Sequence, residues 1–241
     1  MKKYFFTAIL VLFDGLCFAQ ETDSRFSAAF SAGASFPVGN FASKANNGFY
    51  VDNMSHPAGW AKPGPAFQLS LNYCLQKTFG LSLLLAGQGN KQDESAFESS
   101  LKELFNTDDN FAVKTNSWKI FRIMVGGFYD LSVVQNKFIF QPTILIGILK
   151  TSIPARSYYD STNSSWSYSS PESSLPIAFC YEIGMNFRWH FSKSLYLKAV
   201  YDFFHASPKG YDVSVNTTNF HYNTAIPISS VNALAGIGVR F

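Results

Sequence analysis

Residues 177–191 read IAFCYEIGMNFRWHF. The odd positions (Ile177, Phe179, Tyr181, Ile183, Met185, Phe187, Trp189, Phe191) are apolar or aromatic. The even positions (Ala178, Cys180, Glu182, Gly184, Asn186, Arg188, His190) are small, polar or charged. Such strict alternation marks a β-strand with two chemically different faces. The stretch is long beside the ~5–6 residues usual for a soluble strand. It suits a tilted strand that crosses a bilayer, which needs about 9–11 residues. Its apolar face would then meet lipid and its polar face the inside of a barrel.

The same alternation recurs along the chain. Strands are expected at Arg25–Phe36, Ala66–Leu75, Phe79–Gly89, Trp118–Tyr129, Lys137–Lys150, 177–191, Ser194–His205 and Ser230–Phe241. The connections after the second, fourth and sixth are brief: Gln76-Lys77-Thr78, Asp130–Asn136 and Ser192-Lys193. Those after the first, third, fifth and seventh span about 38–65, 90–117, 151–176 and 206–229 and are rich in Asn, Ser, Asp, Gly, Pro and Tyr. Structureless loops of this length are uncommon in a compact soluble domain. Here they alternate with short turns, which puts all the long loops at one end of an up-and-down sheet. An open sheet edge in hydrocarbon would leave backbone groups unpaired at several kcal/mol each, so the first and last strands must pair. The expected fold is therefore all-β, an eight-stranded antiparallel transmembrane barrel.

Composition agrees. Charged residues make up 15% of the 241 and aromatics 17%, with 25 Phe. Mean hydropathy is only +0.02, too low for a helical membrane protein. Lys2 and Lys3, the apolar run Tyr4–Phe13 and the small-x-small Cys17-Phe18-Ala19 read as a signal peptide over residues 1–19, although Asp14 interrupts the apolar stretch. Residues 20–241 then form a single barrel domain. Without the leader, 17 basic and 15 acidic residues remain, a balance that gives no argument for nucleic acid as a partner.

The last stretch, VNALAGIGVRF (Val231–Phe241), alternates again and ends on an aromatic residue. That ending is similar to the C-terminal signal read by the barrel-assembly machinery. With the leader and the strand rhythm, the chain resembles the small OmpA/OmpX-like outer-membrane barrels, in particular the porin-like "outer membrane protein beta-barrel domain" family common in Bacteroidota. The resemblance is architectural and brings no shared catalytic residues. It implies an exported monomer in the outer membrane of a Gram-negative bacterium, with short periplasmic turns and long extracellular loops. Its partners would be membrane lipid, the assembly machinery and an unidentified surface ligand. Phe241 is the expected assembly signal, and no peptidoglycan-binding domain is expected after it.

Two aromatic belts are expected where rings meet headgroups: Phe36, Trp118, Phe179 and Phe203 at the loop end, Tyr73, Phe79, Tyr129, Trp189, Phe191 and Phe241 at the turn end. The inward face should carry Arg122, Glu182, Arg188, Lys198, Asp202 and Arg240. Buried charges must pair to be tolerated, and eight strands leave little room beyond side chains, so a polar plug is expected rather than a pore. Arg122, Glu182 and Asp202 should neutralise one another. Arg188, Lys198 and Arg240 would be solvated by water, Gln141 and Asn186. Cys74 and Cys180, at opposite ends, should be free thiols.

For catalysis, His205 precedes Ser207, and His56, His221, Asp52, Asp108, Asp109, Asp160 and Asp212 fall in loops. No motif organises them, and the chain is expected not to be an enzyme. No His pair has metal-ligand spacing, and no cofactor is expected. The third long loop sets Tyr158, Tyr159, Trp166 and Tyr168 among Ser and Asn, a mix of aromatic anchors and adaptable hydrogen bonding found in binding surfaces. The expected role is structural or surface-interacting. A narrow passive channel and an outer-membrane lipid-modifying enzyme are the alternatives.

Overall fold

The computed structural model describes residues 25–44, 58–105, 111–133, 137–160, 165–215 and 218–241. The expected leader, residues 1–19, lies outside them, as do His56, Asp52, Asp108 and Asp109. The barrel strands are β1 (Phe26–Pro37), β2 (Gly64–Cys74), β3 (Phe79–Lys91), β4 (Ser117–Tyr129), β5 (Phe138–Ile153), β6 (Ala178–His190), β7 (Leu195–Ala206) and β8 (Ile228–Arg240). Each pairs antiparallel with the next in the chain. β1 and β8 close the cylinder in a continuous register from Ser27↔Arg240 to Pro37↔Ser230. No edge of the barrel is left open, as a hydrocarbon surround demands.

The period of two sorts the side chains along β6. Phe179 is 64% exposed on the outer wall, while Cys180 and Glu182 on the inward face are buried. Ile144, Ile183 and Tyr201 belong to the same outer belt, which would be an aggregation surface in water and is a matched surface in lipid. At the turn end, Phe26 stacks on Phe241 (centroids 6.1 Å apart), and their backbones exchange hydrogen bonds of 3.1 and 2.9 Å. Phe79, Tyr129, Trp189 and Phe191 also face outward there.

Trp118 corrects the expected belt. It is 2% exposed and points into the barrel. Its even number puts it on the inward face of β4 with Ile120, Arg122 and Met124, so parity forbids a lipid-facing ring.

The long connections carry structure of their own. The first contains a 3-10 turn at Gly39–Phe41. The second contains helix α1 (Glu94–Phe105) and a strand at Phe111–Thr115. The latter pairs with Arg156–Asp160 of the third connection, which forms a hairpin with Ser165–Ser170. The fourth is a hairpin of Lys209–Val215 and Thr218–Ala225.

Candidate functional site

The lumen is crossed by polar tethers at several depths. Toward the long-loop end, Arg122 on β4 reaches past β5 to Glu182 on β6 (3.3 Å) and Asp202 on β7 (3.9 Å). Gln88 on β3 accepts from its Nη1 at 3.0 Å, and the Phe204 ring lies 3.9 Å from the guanidinium carbon. Asn232 on β8 donates to Asp202, and Gln88 donates to Ser230 at 3.1 Å. At Gly184, a Cβ would meet the Thr143 hydroxyl at 2.8 Å and the Asp202 Cβ at 3.1 Å, so a larger residue there would have to push Thr143 and Asp202 aside.

Deeper, Lys198 on β7 donates to the Ser70 hydroxyl on β2 at 3.0 Å, across the barrel. Near the turn end, Arg188 pairs with Asp130. Gln141 donates to Asp130 (2.7 Å) and Asn186 to Gln141 (3.2 Å).

Two expectations change here. Arg188 is held by a carboxylate, not by water and amides alone. Asp130, which sequence reading assigned to a turn, continues the even parity of β4 by one residue and so points inward. Arg240 is exposed, because β8 ends there and its side chain emerges at the mouth. It lines a cavity of about 660 Å³ at the turn end with Arg25, Cys74, Lys77, Asp130 and His190. The lumen thus sets buried Arg122, Arg188 and Lys198 against buried Glu182 and Asp202 and part-buried Asp130, three charges of each sign. A dry interior favours such a balance because an uncompensated buried charge is strongly destabilising.

The long-loop end has a second closure that sequence reading missed. Phe41, fully buried, meets the edge of Trp118 with centroids 5.5 Å apart, and Trp118 Nε1 donates to the Gly59 carbonyl at 3.1 Å. A Cβ at Gly59 would lie 2.4 Å from the Phe41 carbonyl. Trp60 adopts a left-handed φ of 47°, a strain worth roughly 1–3 kcal/mol. It is offset by packing against Phe97 of α1, edge-on at 4.7 Å.

Arg156 lies 4.7 Å over the Phe97 ring and donates to Gln92 at 3.1 Å. Asp93 caps α1 through Ala96 N–H (3.3 Å) and Ser95 (2.9 Å). The same carboxylate binds Lys44 (2.6 Å) and Lys62 (3.1 Å). Lys44, together with its other partners, holds the Asp93 carboxyl below the usual range against the opposing effect of burial. The signal for α1 was in the sequence: an Asp before Glu94, then Ala96, Phe97 and Ser100 at helical spacing.

Tyr158 and Tyr168 are backbone partners in the third-loop hairpin, as are Tyr159 and Trp166. Asp160 pairs in the same hairpin, and Asp212 with His221 in the fourth. Cys74 and Cys180 are free thiols. No cluster of metal-holding residues occurs among the described residues.

A closed eight-stranded barrel with a lipid-matched wall, short turns and long loops defines the class: the fold is that of a small outer-membrane β-barrel. A solved structure shares it. A major outer membrane protein from Thermus thermophilus matches over 91% of this chain and 100% of its own, with a TM-score of 0.54 at 11% identity. Neisserial surface protein A matches 92% of this chain and 100% of its own (TM-score 0.48, 14% identity). The Escherichia coli outer membrane protease OmpT matches 92% and 99% (TM-score 0.45, 11% identity). At 11% identity the first of these likenesses is one of fold alone. No protein-family profile and no curated protein sequence matches the chain.

Proposed function

We propose that this barrel is a closed, monomeric outer-membrane protein whose long loops face the cell exterior and give it a structural or surface-interacting role. The observation that carries the reading is the double closure of one path. The lumen holds a network of paired charges, and Phe41, Trp118, Trp60, Phe97 and Arg156 are buried at the mouth above it. A solute would have to displace both. The cap also fixes the base of the aromatic hairpin at residues 156–170, and a surface held in place by folded structure loses less conformational freedom on binding.

Two measurements test this together. Purified protein in planar bilayers should give no large, steady conductance, whereas regular current steps would favour the narrow channel. Replacing Tyr158, Tyr159, Trp166 and Tyr168 with Ser should reduce attachment of cells displaying the protein while leaving its folding unchanged. Unaltered attachment would remove the hairpin from the reading.

A further inference from the structure

The sequence pair His205 and Ser207 has no motif around it, yet the fold builds one. β7 ends at Ala206, so His205 is its last outward-facing residue at the long-loop end, opposite Ser229 of β8. His205 Nδ1 lies 2.8 Å from the Ser229 hydroxyl. His205 Nε2 lies 3.1 Å from the Ser207 hydroxyl. The tautomer with its proton on Nδ1 satisfies both contacts: Nδ1–H donates to Ser229, and Nε2 accepts from Ser207. The arrangement is a hydroxyl, a base and a group that orients the base, which is the requirement for an activated serine.

Its surroundings decide what such a serine could meet. His205, Ser207 and Lys209 line an open groove of about 490 Å³ with Ile177, Phe179 and Tyr181. Ile177 and Phe179 are among the most exposed apolar residues of the outer wall, at 63% and 64%. The Tyr181 and His205 rings are 5.5 Å apart. The groove therefore runs from an oily wall to a polar rim, with an ammonium group at the polar end. That polarity matches an amphiphile lying beside the barrel, its acyl chain on Ile177 and Phe179 and its ester linkage at the rim.

We propose that Ser207, His205 and Ser229 form an acyl-ester hydrolase site facing the membrane, acting on the carboxylic ester of a membrane lipid. Ser207 Oγ attacks the ester carbonyl carbon as its proton passes to His205 Nε2. The C–O bond to the lipid alcohol breaks, and that alcohol leaves with the proton from Nε2. Water, deprotonated by the same nitrogen, then attacks the acyl-serine, and a fatty acid departs as Ser207 regains its proton. No oxidant or further co-reactant is needed. Ser229 is a positioning residue. As a neutral hydroxyl where a carboxylate would better stabilise imidazolium, it predicts a slow enzyme. This site lies outside the lumen and the cap, so it is independent of the role proposed above.

The test uses the full mature chain folded in detergent micelles, where membrane topology does not enter. A fluorophosphonate probe should label Ser207, located by mass spectrometry. Mixed micelles containing phosphatidylethanolamine in one arm and lipid A in the other should release fatty acid in at least one. Ser207→Ala and His205→Gln should each lower release about 100-fold or more, while both variants still migrate as folded barrels. Ser229→Asp should raise the rate and move the acidic limb of its pH profile, which a purely structural hydroxyl would not do. Ser192→Ala, at the opposite end, should match wild type. Labelling of wild type no greater than of Ser207→Ala, with no fatty acid released from either lipid, would overturn the proposal.

Discussion

Glu182→Ala removes one of two carboxylates facing a guanidinium that is 3% exposed. In the wild type the lumen charges balance once part-buried Asp130 is included. In the variant Arg122 keeps Asp202 at 3.9 Å and the Gln88 oxygen at 3.0 Å, and the lumen carries one excess positive charge. Breaking a buried pair by removing one partner costs ~3–5 kcal/mol. Because Arg122 retains those two acceptors, we expect the lower end, about 3 kcal/mol. Glu182→Gln keeps an acceptor and should cost about 2 kcal/mol, in the range of a hydrogen bond to a charged group. The double variant Arg122→Met/Glu182→Leu leaves Lys198 and Asp202 in balance and should recover most of the loss. Urea unfolding of the vesicle-folded protein, followed by tryptophan fluorescence, measures all three. A loss below ~0.5 kcal/mol, typical of an inconsequential surface change, would refute the dry network. So would a double variant weaker than Glu182→Ala.

Asp93→Asn keeps a capping oxygen but loses the charge that pairs with Lys44 and Lys62, which should loosen α1 by up to about 1 kcal/mol, seen as faster amide exchange confined to that helix. The lowered pKa of Asp93 means its contribution is complete above the unfolded-state value of about 4 and is lost as pH falls through the still lower folded value. Wild-type exchange in α1 should therefore be flat with respect to stability above pH ~4 and rise below it, and the Asn variant should lack that transition. Cys74, beside the turn-end cavity, should react with a small maleimide in the folded protein, whereas Cys180, fully buried, should react only after unfolding. Finding the two disulfide-linked by mass spectrometry would contradict the register. Deleting Phe241 removes the ring stacked on Phe26 at the closing seam. Cells expressing that variant should accumulate unfolded chain in the periplasm, and normal amounts of heat-modifiable barrel would show the residue to be dispensable. Tags inserted near Asn47, Asp108, Asn163 and Asn216, all outside the described residues, should be reachable on intact cells, and a tag between Asp130 and Asn136 should not.

Strand identity, inward and outward faces and barrel closure were legible in the sequence because a period of two is local. Each residue's face follows from counting its neighbours, and lipid outside the barrel enforces the count over every strand. The pairing of Arg122 with Glu182 and Asp202 was legible for the same reason, since residues at equal depth on inward faces have few other partners. The same counting, carried through, would also have turned Trp118 inward and brought Asp130 into the lumen.

What alternation cannot supply is which residues meet across distances in the chain. The cap joins Lys44, Lys62 and Asp93, then Trp60, Phe97 and Arg156, from three connections whose sequences do not say which of them meet. Ser229 reaches His205 only because β7 and β8 are neighbours in one register, and Ser207 only because the chain turns just past β7. Those contacts depend on how the closed cylinder brings its loops and strand ends together, so they were decided by tertiary structure.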